Sequence, residues 1–119
     1  MILKILMLFL SITLTIHSYA EDKKISYHCK GLSHFEIMGS PGSKEEMKEV
    51  TYTFINESLQ DLNNIECHWD EKKITCESNF LNIRRLIINL ENLEVSDFIS
   101  GNKGFGQYAE NFNASCTLE

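Results

Sequence analysis

The residues of this chain that could carry chemistry are four cysteines, a few histidines and a surplus of carboxylates, and their spacing narrows what that chemistry is. Cys29, Cys67, Cys76 and Cys116 form no C-x2-C pair, and neither His28 beside Cys29 nor His68 beside Cys67 stands at a ligand-like interval. No metal centre is therefore expected. No serine lies in a G-x-S-x-G frame, so a nucleophilic triad has no recognisable anchor. His28 and His68 alternate with their neighbouring cysteines, which turns them toward solvent if the cysteines face inward; these and His34 read as surface histidines.

Carboxylate pairs could serve a glycosidase-like mechanism, which needs one of the two shielded from water. Asp70-Glu71 falls at an expected hairpin tip and Glu45-Glu46 at the start of an expected helix, and neither setting excludes solvent. Gly101, Gly104 and Gly106 match a phosphate loop only superficially, because a strand-like alternation rather than a helix follows them. A glycine-rich hairpin explains them better, with Phe105 and Tyr108 as a candidate recognition loop. No catalytic residue and no cofactor is assigned.

The elements that position these residues begin after an export leader. Met1 to Lys4 is a short positive start, Ile5 to Ile16 is nearly all apolar, and Ser18-Tyr19-Ala20 places small residues where a signal peptidase reads. Residues 1–20 thus read as a signal peptide cleaved after Ala20, and residues 21–119 as a single secreted or periplasmic domain without a membrane anchor. Four cysteines in an exported chain point to two disulfides. The mature part carries 10 basic and 17 acidic residues, because Lys4 is the only charge before Glu21. That balance argues against nucleic acid or anionic lipid as partner.

Period-two alternation recurs throughout: Ile25, Tyr27 and Cys29; Val50, Tyr52 and Phe54; Ile65, Cys67 and Trp69; Leu86, Ile88 and Leu90; Phe112, Ala114, Cys116 and Leu118. This is the pattern of antiparallel strands with one buried face. Gly39-Ser-Pro-Gly-Ser43 is a loop, and Ser43-Lys-Glu-Glu46 fits a capping box opening one short helix. A turn at Glu71-Lys72 brings Cys67 opposite Cys76 at a non-hydrogen-bonded position, where a cross-strand disulfide can form; Cys29 is then left to Cys116. The same register sets Glu66 against Glu77. A second turn at Glu91-Asn92 pairs Leu90 with Leu93 and Ile88 with Val95.

A bridge from Cys29 to Cys116 needs the first and last strands side by side. The expected fold is accordingly an all-β, small antiparallel barrel of about seven or eight strands, with an open sandwich as the alternative. In outline the chain resembles small secreted or periplasmic barrels such as lysozyme and protease inhibitors and miniature calycins, a likeness of architecture. Two functions fit that outline. One is a protein-binding or inhibitory module presenting loops 39–46 and 99–108 to another secreted or envelope protein. The other is a carrier of a small lipophilic ligand, its interior lined by Tyr27, Tyr52, Phe54 and Trp69. So many bulky inward residues in so short a chain favour the first.

Arg84 and Arg85 form the one compact basic spot, read as solvated surface or as a hold for a partner's carboxylate. Asn56-Glu-Ser58 and Asn113-Ala-Ser115 are glycosylation sequons, relevant only to eukaryotic export.

Overall fold

A computed structural model describes residues 22–39, 41–60, 65–79, 82–104 and 106–119. The leader read over residues 1–20 and the candidate recognition residue Phe105 lie outside the described residues. Eight antiparallel strands form one nearly closed, barrel-shaped sheet: β1 (Lys24–Ile37), β2 (Ser43–Ile55), β3 (Ser58–Leu59), β4 (Glu66–Trp69), β5 (Lys73–Ser78), β6 (Ile83–Asn89), β7 (Glu94–Lys103) and β8 (Gly106–Leu118). Their order across the sheet is β3-β2-β1-β8-β7-β6-β5-β4, so the first and last long strands are neighbours and β3 meets β4 at the seam.

The expected alternation sets the register. Tyr27, Cys29, Tyr52, Phe54, Ile74, Cys76, Leu86, Ile88, Val95, Phe112 and Cys116 are buried in one core, with Ile25, Val50, Ile65, Cys67, Trp69 and Ala114 packed against it. Both disulfides join directly opposed residues, Cys29 with Cys116 across β1 and β8 and Cys67 with Cys76 across β4 and β5. Two disulfides indicate an oxidising environment, extracellular or periplasmic. Glu66 does face Glu77. Arg85 on β6, with its Nε 3.3 Å from a Glu77 oxygen, offsets the like charges. Leu118 has the inward phase and pairs with Tyr27, yet it is exposed.

Local hydrogen bonds explain the turns. Asp70 Oδ1 accepts from the amides of Lys72 and Lys73, at 2.7 and 2.9 Å, which closes the β4–β5 hairpin and holds its carboxyl below the ordinary value. Asn89 Oδ1 accepts from the Glu91 amide at 2.9 Å, and Leu93 takes a positive φ of 55°. Ile88 pairs with Val95 as expected. Leu90 and Leu93 are not a ladder pair, however: the Leu90 amide donates to Lys72 and the Leu93 carbonyl accepts from Cys116. The β2–β3 turn has Asn56 and Glu57 at φ 51° and 68°, both left-handed, the geometry of a tight hairpin turn.

One expected element is replaced. No helix occurs among the described residues, and Ser43 to Glu46 is the start of β2, with Ser43 opposite Glu36 and Glu46 opposite Ser33. A helix of two turns has little stability of its own, whereas continuing the ladder gives the far half of β1 a partner on that side. The capping-box spelling is coincidental there. Alternation is silent because both faces of this stretch are charged and exposed.

Gly31 sits where β1 and β8 press together. A Cβ there would overlap the Asn113 carbonyl oxygen and the Ala114 Cα, both backbone atoms that cannot swing away. Gly31→Ala is expected to cost about 1–3 kcal/mol, read as a lower urea midpoint at unchanged slope.

Candidate functional site

The closed end of the barrel is filled. Tyr27, Tyr52 and Phe54 are almost inaccessible, Tyr27 meets Phe54 edge-on at 6.2 Å, and Phe54 meets Trp69 edge-on at 5.2 Å. The structure thus brings Tyr27, Phe54 and Trp69 into one edge-to-face cluster with Tyr52 in the same core. Trp69 has a second part: its indole Nε1 donates to the Glu57 carbonyl at 3.1 Å. It ties β4 to the β2–β3 turn across the seam.

Above the apolar layer the interior turns polar. Asp97, on β7, accepts from the Tyr52 hydroxyl at 2.8 Å and is gripped by Arg84 through Nε at 3.1 Å and Nη2 at 2.7 Å. Burial, with the Asp97 carboxylate beside it, pushes the Tyr52 phenol far above its ordinary value. A further step up, Glu110 Oε1 accepts from the Ser33 hydroxyl at 2.7 Å and from the Lys48 ammonium at 2.6 Å. No buried side-chain polar atom among the described residues lacks a partner. These are satisfied structural networks.

Arg84 and Arg85 therefore do not form a basic spot. Successive strand residues point to opposite faces, so Arg84 turns inward to Asp97 and Arg85 outward to Glu77. Glu45 and Glu46 separate in the same way. Asp70 and Glu71 are at an open hairpin tip, Glu71 exposed. His28 lies 3.0 Å from the Thr51 hydroxyl and His34 3.3 Å from Glu45, both half-exposed, and His68 is exposed. The described residues contain no cluster of three or more His, Cys, Asp or Glu suited to a metal ion.

Tyr108 is buried on β8 and stacks on Phe35 at 5.9 Å. Of the expected presenting loops, residues 43–46, 99–103 and 106–108 belong to β2, β7 and β8, which leaves Gly39, Pro41, Gly42 and Gly104 as the described residues there that lie outside strands. In the first sequon Asn56 is engaged at both ends of its amide, donating to Asp22 at 2.9 Å and accepting from the Lys23 amide at 3.0 Å.

The outer face carries a feature that no motif announced. Between the β1–β2 hairpin and β6, the sheet bends into an open groove of about 800 Å³. Leu32 and Met47, opposite one another on β1 and β2, form one wall at 50% and 62% exposure. Ile87 and Asn89 form the other. Ser96, Asn111, Asn113 and Ser115 floor it, and Lys30, His34, Glu45 and Glu94 place both signs of charge around it.

The sequence held a signal for both overlooked features. Leu32 and Met47 are apolar residues out of phase with the buried sets of their own strands. Asp97 and Arg84 are charged residues in phase with Val95 and with Leu86, which marks an internal ion pair. Comparison with protein families, with curated proteins and with solved structures yields no match for this chain. Fold and site together define a class only, a small disulfide-tied barrel with a packed aromatic core and a grooved outer wall.

Proposed function

We propose that the protein is an exported binding or inhibitory module, released by cleavage after Ala20, that engages another secreted or envelope protein through the outer face of its sheet. The observation that carries this reading is the exposed apolar pair Leu32 and Met47 beside the groove. Large apolar side chains set together on a surface and rimmed by polar groups are characteristic of protein contact sites. The carrier alternative needs interior space, and the packing of Tyr27, Phe54 and Trp69 in the closed end weighs against it.

Native mass spectrometry of the exported protein, combined with a photo-crosslinking residue at position 32 on β1 or at position 77 on β5, four strands away around the sheet, tests the reading. The expected result is a bare, fully oxidised chain that forms a discrete protein adduct from position 32 and none from position 77. A stoichiometric small molecule in the native spectrum, or adducts independent of position, would overturn it.

A further inference from the structure

We infer that the outer edge of β2 is a strand-addition site for an extended partner segment with the pattern basic–x–apolar–x–basic. This rests on the binding-module reading and names the partner's chemistry. Only Phe54 and Ile55 at the end of β2 pair with β3, and among the described residues no strand pairs with the outer edge from Ser43 to Thr51. The free edge is about 27 Å long at strand rise.

Its hydrogen-bonding phase follows from two contacts. The Asn56 amide donates inward to Lys23 on the β1 side, whereas the Thr53 carbonyl accepts outward from Gln60. Residues two apart in a strand direct their backbone groups the same way, and the β1–β2 register runs unbroken from Lys24 with Ile55 to Glu36 with Ser43. Glu45, Met47, Glu49 and Thr51 therefore present their N–H and C=O groups to the open side. Their side chains share the outer face, Met47 being the exposed wall residue of the groove.

An added strand would place one residue opposite each of these positions. The residues opposite Glu45 and Glu49 are best basic, and the one opposite Met47 best apolar. The side chains nearest Glu45 and Glu49 on β1 are His34 at 3.3 Å, Lys30 at 3.7 Å and His28 at 3.7 Å, Lys30 well exposed and the two imidazoles half-exposed. Such pairs are weak and leave the carboxylates able to share a second cation.

A second copy of this chain is a poor occupant. Continuing the sheet about a two-fold axis pairs residues of like phase, and every centre from Glu45 to Glu49 sets like charges together. Centring on Glu45, Glu46, Lys48 or Glu49 opposes that residue to itself, and centring on Met47 opposes Glu45 to Glu49 on the outer face while setting Glu46 only against Lys48, an ammonium already held by Glu110. The charges that block self-pairing are the ones that select a basic strand.

The test uses the intact, oxidised protein and the peptide acetyl-Thr-Arg-Thr-Leu-Thr-Arg-Thr-amide, with residue-resolved amide hydrogen exchange as readout. At peptide ten times over its Kd, the Glu45, Met47 and Glu49 amides should exchange about tenfold more slowly. The Glu46 and Lys48 amides, already bonded to β1, should not change, and a peptide with glutamates for arginines should have no effect. Lack of slowing at millimolar peptide, or equal slowing by the glutamate peptide, would overturn the inference. In a folded Met47→Pro variant, which removes one outward donor and spares the β1 ladder, unchanged peptide affinity would also overturn it. The two readings fail separately: a bound small molecule sinks the binding module whatever the peptide does, whereas an adduct at position 32 with an inert edge sinks the edge alone.

Discussion

Removing the long bridge by the paired changes Cys29→Ala and Cys116→Ala should lower stability by about 4.6 kcal/mol, against about 2.7 kcal/mol for the pair Cys67→Ala and Cys76→Ala. The contrast comes from the unfolded chain. The first bridge closes a sequence separation of 87 and the second a separation of 9, so the first restrains a far larger ensemble. A domain of this size has about 5–15 kcal/mol in all, which puts the long-bridge variant near the unfolding threshold at ambient temperature. Urea titrations of the two variants under the same buffer decide the matter. A larger loss from the short bridge would mean that it holds the seam, not merely the β4–β5 register.

Asp97→Ala is expected to cost about 3–5 kcal/mol, because it strands the Arg84 guanidinium and the Tyr52 hydroxyl inside the barrel. Replacing Asp97 and Arg84 together by apolar residues of similar volume should recover much of that loss, since the penalty lies in the unpaired charge. The same cluster sets a pH dependence. The Tyr52 phenol titrates above its free value of 10.0 in the folded state, so above that pH the unfolded chain releases a proton the folded chain keeps. Stability is thus fully present below pH 10.0 and declines as pH rises beyond it, by up to about 1.4 kcal/mol per pH unit for this one group. Tyr27, also raised by burial, adds in the same direction. Tyr52→Phe should flatten the alkaline arm of the urea midpoint. An unchanged arm would assign the decline to other groups.

What was legible in the sequence is what period-two burial encodes. Cys67 opposite Cys76, Cys29 left to Cys116 and Ile88 opposite Val95 all follow from apolar side chains that must share a face, and the barrel follows from joining the ends of the chain. The far half of the β1–β2 hairpin was illegible for the opposite reason. From Lys44 to Glu49 both faces are wet, so alternation carries no signal there and local capping chemistry suggested a helix that ladder pairing overrides. The groove escaped a motif-based reading because it arises from curvature across several strands. Only Leu32 and Met47, apolar in the wrong phase, hinted at it. The inward carboxylate of Asp97 could have been found by asking which charged residues fall in step with the core.

The two bridges are nested, one wholly inside the sequence span of the other, and this imposes an order of events wherever thiols are oxidised as the chain emerges N-terminus first. Cys29 arrives first and its partner Cys116 follows 87 positions later. An oxidant acting on thiols as they emerge would join Cys29 to Cys67 and then Cys76 to Cys116, and both links are foreign to the native sheet. The native pairing is reached either by holding Cys29 reduced until β8 is delivered or by exchanging a mispaired bridge afterwards. Maturation of this small barrel thus requires either delayed oxidation of Cys29 or thiol–disulfide exchange, a demand set by the adjacency of its first and last long strands.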